Sequence, residues 1–147
     1  QEDREVKMKI VHHNYPGGVA KNDIALLRLK TPLDFNENVQ PVVLPPADKV
    51  YTGKVVLTGW GSVSKKWWPV MPKELQMATV PIVDNESCFE AFNSVSDDFE
   101  LYDTQVCTGP IGGTVSACSG DSGGPIVQLN ADNKPEQVGI VSWGNYP

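Results

Sequence analysis

The chain has 147 residues, 40% of them hydrophobic, which is enough to fill one ordinary domain; its formal net charge of −6, with no long basic run, argues against nucleic acid or an acidic membrane surface as a partner. No apolar run approaches the roughly 18 residues of a transmembrane helix. No internal repeat, phosphate-binding glycine loop or metal-ligand cluster is present, so no cofactor is implied.

In chain order the pattern is mostly β. Residues 7–11 and 24–29 read as strands, divided by the turn cluster Asn14-Tyr15-Pro16-Gly17-Gly18. The span 32–46, with prolines at 32, 41, 45 and 46, reads as an extended connector, because proline cannot donate to a ladder and restricts the residue before it. Residues 55–60, 75–83, 105–108, 126–129 and 138–143 read as further strands, with a short helix over 84–92 and a hairpin loop over 130–135.

One stretch carries chemistry. In Ala117-Cys118-Ser119-Gly120-Asp121-Ser122-Gly123-Gly124-Pro125 a serine sits among glycines that allow positive φ and a close approach of backbone to substrate. The N–H groups of Gly120 and Ser122 could meet a carbonyl oxygen that gains negative charge. A Gly/Ser/Asp-rich run is more often a plain surface turn, and Gly120-x-Ser122-x-Gly124 also fits the nucleophile elbow of an α/β-hydrolase. That second fit fails on chain order: such hydrolases place acid and histidine after the serine, whereas the only histidines, His12 and His13, precede Ser122.

The run resembles the nucleophile motif of the chymotrypsin/trypsin-like serine peptidases. A second landmark, Asn22-Asp23-Ile24-Ala25-Leu26-Leu27-Arg28-Leu29, resembles the segment that carries their triad aspartate, and the order acid then serine agrees with theirs. Taken alone, Asp23 is a solvated acid closing a turn before a core strand. The resemblance implies an all-β fold, a double six-stranded antiparallel barrel, with residues 1–46 as a remnant of the first barrel plus connector and 47–147 as most of the second.

It also implies roles. Ser122 would be the nucleophile, Asp23 the orienting acid, and the N–H groups of Gly120 and Ser122 the oxyanion hole. Ser116 and Ala117 with Ser142-Trp143-Gly144 would form the primary substrate pocket, and a neutral Ser116 implies preference for large apolar or aromatic residues. Asp121 matches the aspartate that pairs with the ammonium released by zymogen cleavage, and without that terminus it must turn to water or meet another cation. No position matches the family's histidine, since His12 and His13 look like turn and strand-end residues. The expectation is therefore an internal fragment of a peptidase, inactive by itself, or a non-catalytic homologue kept as a binding or regulatory module.

Of the three cysteines, the resemblance pairs Cys88 with Cys107 and leaves Cys118 without its partner. It implies secretion, protein or peptide substrates, and protein inhibitors as further partners. Asn85-Glu86-Ser87 fits an N-glycosylation acceptor.

Overall fold

The computed structural model describes residues 3–95, 99–113 and 115–144. The chain separates into two compact units, Gln1–Val42 and Val43–Pro147.

In the first unit β1 (Val6–Val11) pairs antiparallel with β2 (Ala25–Leu29), in a register that sets Lys9 against Leu27 and Ile10 against Leu26. The alternation Val-Lys-Met-Lys suits a pleated strand with two unlike faces. Asn22 adopts φ 62°, a left-handed conformation that asparagine tolerates, and the Ile24 N–H donates to the Asn22 carbonyl at 2.8 Å. That tight turn puts Asp23 at its apex, just ahead of β2.

The second unit holds β3 (Lys54–Gly59), β4 (Gln76–Val83), α1 (Asn85–Asn93), β5 (Cys107–Thr108), β6 (Pro125–Leu129) and β7 (Pro135–Ile140). The strands form one sheet in the order β5-β4-β3-β6-β7, antiparallel at every neighbour. This is the curled antiparallel sheet of a chymotrypsin-like barrel.

Its core follows from the period of two. Val55 and Leu57 alternate inward from β3, and Val55 pairs directly with Val80 of β4, each 1% exposed. Leu57 pairs with Ile126 of β6, and Ile82, Ala117, Val138 and Val141 pack around the four. Burying each valine contributes about 1.5–3 kcal/mol. The Cys88–Cys107 disulfide ties α1 to β5, as expected, and Cys118 keeps a half-buried thiol.

Many element ends shift by one residue from the sequence reading, and at three places a local hydrogen bond accounts for the difference. The strand placed at 138–143 is β7 at Pro135–Ile140, so Ser142, Trp143 and Gly144 follow the strand instead of ending it. The cause is a tight hairpin: the Asn130 side-chain oxygen accepts from the N–H groups of Asp132 and Lys134 at 3.0 Å each, which brings the chain back three residues early. β5 is two residues instead of four, because the Gln105 N–H donates to the Tyr102 carbonyl in a preceding turn. Asp84 is the cap of α1, its carboxylate accepting from the Ser87 N–H at 2.8 Å, and Asn85 is the first helical residue.

The start of the second unit is sewn to β7. Val43 donates to the Pro135 carbonyl and accepts from the Gln137 N–H, and Glu136 between them, 5% exposed, binds both the Lys49 ammonium and the Tyr51 hydroxyl. The Lys49 and Tyr51 bonds hold Glu136 below its ordinary pKa, and the Glu136 bond raises that of Lys49.

Candidate active site

The turn that presents Ser122 runs from Cys118 to the start of β6. Gly120 and Gly123 take φ 99° and 82°, which a side chain would strain. Most backbone donors in the turn are committed. The Asp121 N–H reaches the Cys118 carbonyl at 3.0 Å, that of Gly124 reaches Asp121 at 2.9 Å, and that of Gly123 reaches Val141 at 2.8 Å, just past β7. The N–H groups of Ser119, Gly120 and Ser122 donate to nothing among the described residues. Of the three unspent donors in the turn, those of Gly120 and Ser122 lie on either side of Asp121, next to an exposed serine.

The Asp121 carboxylate is held by backbone amides. One carboxylate oxygen accepts from the Gly61 N–H at 2.8 Å and the other from the Cys118 N–H at 2.9 Å. The sequence left water or a cation as its partner; two backbone amides of the same unit satisfy it here. Its seat exists because Gly59 and Gly61 lack side chains: a Cβ on Gly59 would lie 1.9 Å from the nearer Asp121 carboxylate oxygen, and one on Gly61 2.3 Å from the carboxyl carbon. A second tether joins the Ser62 N–H to the Ser119 carbonyl at 2.9 Å. Neither glycine figured as a site residue in the sequence. The available signal was two glycines flanking Trp60 at the end of a strand, a pattern that marks close approach of another group.

An open hollow of about 370 Å³ lies over this arrangement, lined by Thr58, Gly59, Trp60, Leu75 and residues 120–125. Of the sequence-derived site residues it brings together Gly120, Asp121 and Ser122. Ser116, Ala117, Ser142, Trp143 and Gly144 lie outside its lining. Ser116 is exposed and Ala117 packs on the core. Trp143 meets the rings of Phe92 on α1 and of Phe99 edge-on, at 5.3 and 5.8 Å between centroids.

Asp23 stands in the first unit beside Tyr15, whose hydroxyl donates to the Gly18 carbonyl at 2.8 Å. Burial first, and then the charge and hydrogen bonding of Asp23, raise the Tyr15 pKa. His12 is spent locally: its Nδ1 accepts from the Asn14 N–H at 3.2 Å, its backbone N–H reaches the Ile24 carbonyl at 3.0 Å, and its ring stacks on His13 at 4.7 Å. Among the described residues there is no group of three or more His, Cys, Asp or Glu side chains arranged to hold a metal ion, and no helix long and apolar enough to cross a membrane.

The family model described as Trypsin matches residues 1–147. The chain is 38% identical over 135 residues to Trypsin-1 of Astacus astacus, a match covering 92% of this chain and 54% of that protein. It is 39% identical over 130 residues to Serine protease 41 of Homo sapiens, covering 86% and 41%. To Prostatic glandular kallikrein-6 of Rattus norvegicus it is 35% identical over 136 residues, covering 92% and 48%. The chain therefore spans about half the length of these relatives.

Proposed function

Since the chain belongs to the trypsin family, we propose that it supplies the nucleophile and the orienting carboxylate of a secreted serine endopeptidase. Ser122 Oγ attacks the scissile carbonyl carbon and forms an acyl-enzyme, which water then hydrolyses. The observation that carries this reading is the division of labour around the serine, where the N–H groups of Asp121, Gly123 and Gly124 are spent within the fold and those of Gly120 and Ser122 are left unused. Such donors, aimed at an oxyanion, matter greatly: losing one costs on the order of 100- to 1000-fold in kcat.

Asp23 serves as the acid that holds a histidine in the right tautomer and stabilises its imidazolium form. That histidine is neither His12 nor His13, since His12 is engaged in its own turn and stacked on His13, so the base comes from outside these residues and the isolated chain does not turn over substrate. Secretion is supported by the disulfide between Cys88 and Cys107.

The substrates are proteins and peptides, cleaved after large apolar or aromatic residues. Ser116, six positions before the nucleophile, is neutral and cannot compensate a Lys or Arg side chain in a desolvated slot. The test uses the full-length protein on paired peptide substrates that differ only in Phe or Arg before the scissile bond. A higher kcat/KM for Phe, abolished by Ser122→Ala, is expected. Preference for Arg overturns the specificity, and no hydrolysis of either overturns the activity in favour of a non-catalytic homologue.

A further inference from the structure

We propose that Asn85 carries an N-linked oligosaccharide. The acceptor pattern Asn85-Glu86-Ser87 has no proline at its centre, and in the folded unit Asn85 and Glu86 are both exposed at the start of α1. A helix start often recruits such a side chain as its cap, which would bury or engage the amide. Here Asp84 fills that role. Its carboxylate accepts the Ser87 N–H at 2.8 Å, and hydrogen bonds from Ser87 hold the carboxyl below its ordinary range. Among the described residues the Asn85 side chain makes no hydrogen bond. The fold neither needs that amide nor covers it, so a bulky polar substituent there displaces no contact.

A second, independent observation concerns the compartment. Cys88, one residue past the acceptor pattern and 2% exposed, is bridged to Cys107. A bond of that kind forms in an oxidising secretory lumen, where oligosaccharide transfer to asparagine also takes place. In this respect the inference rests on the proposed secretion.

The donor class is a lipid-linked oligosaccharyl pyrophosphate. The Asn85 Nδ2 attacks the anomeric carbon of the first sugar, a C–N bond forms, the C–O bond to phosphate breaks, the lipid pyrophosphate leaves with the electron pair, and the amide loses one proton. Transfer precedes closure of α1, because in the folded unit the Ser87 N–H and hydroxyl are turned to Asp84 and no longer to an incoming transferase.

The test expresses the full chain behind a secretory leader in eukaryotic cells and maps the protein from lysate and medium alike. The expected result is a form with the Cys88–Cys107 bridge whose gel mobility rises on treatment with peptide:N-glycosidase, with Asn85 recovered as aspartate carrying heavy oxygen when the digestion is run in labelled water. Asn85→Gln and Ser87→Ala each remove the mobility shift; Ser87→Thr, which keeps the hydroxyl, retains it. Bridged protein with unmodified Asn85 overturns the inference, as does a reduced, unmodified chain behind a leader shown to work on a control. Neither result depends on peptidase activity, so failure of this inference and failure of the catalytic reading are told apart.

Discussion

The Gly61 N–H donates to the Asp121 carboxylate at 2.8 Å, a bond across 60 positions of sequence that joins the residue beside Ser122 to the chain leaving β3. A methyl group at Gly61 would lie 2.3 Å from the carboxyl carbon, so in Gly61→Ala the Asp121 carboxylate or the backbone that clasps it must shift. Overpacking of this kind costs about 1–3 kcal/mol in stability. Because Asp121 is covalently next to Ser122, the acylation rate of the full-length enzyme should also fall, on the order of 100-fold for a displacement near 1 Å. Urea unfolding and burst kinetics read the two effects; unchanged values in Gly61→Ala would show the clasp to be incidental.

Glu136 predicts an acid limb in the stability of the second unit. Its folded pKa is depressed below 4.5 by Lys49 first and Tyr51 second. A depressed carboxyl contributes stability that is fully present above 4.5 and is lost as pH falls through the lower, folded value. Lys49 works in the opposite sense: raised above 10.5, it contributes below that value and loses its contribution as pH rises through the folded one. Melting temperature followed against pH should drop on the acid side in the parent chain. Glu136→Gln should start lower at neutral pH and fall less steeply in acid; equal slopes would contradict the assignment.

What could be read from the sequence depended on the range of the interactions. The core strands were readable because apolar alternation at Val55, Leu57 and Val80 is local and obeys the period of the pleat. The edges of β5 and β7 were not, because Asn130 and Gln105 set them through side-chain and turn hydrogen bonds that leave no periodic trace. Ser122 and Asp23 stood out as motifs. The seat of Asp121 did not, since it is made by Gly59 and Gly61, distant in sequence and conspicuous only for lacking side chains. The packing of Trp143 on Phe92 and Phe99 was likewise illegible, because it joins residues far apart in sequence.

The thiols give a third prediction. Non-reducing peptide mapping of the oxidised chain should recover one bridge, between Cys88 and Cys107, with Cys118 alkylated. Replacing Cys88 and Cys107 together by serine should lower stability by about 3 kcal/mol, the amount expected for a loop of this size. A bridged peptide containing Cys118 would contradict the pairing.

If Ser122 is the nucleophile of a serine endopeptidase whose base lies outside this chain, a fluorophosphonate should discriminate sharply between the two forms of the protein. In the full-length protein, mass spectrometry should find one equivalent of label on Ser122 and none in Ser122→Ala, while the isolated chain, which lacks the base, should remain unlabelled. Label on another residue of the full-length protein, or none at all, would contradict Ser122 as the nucleophile.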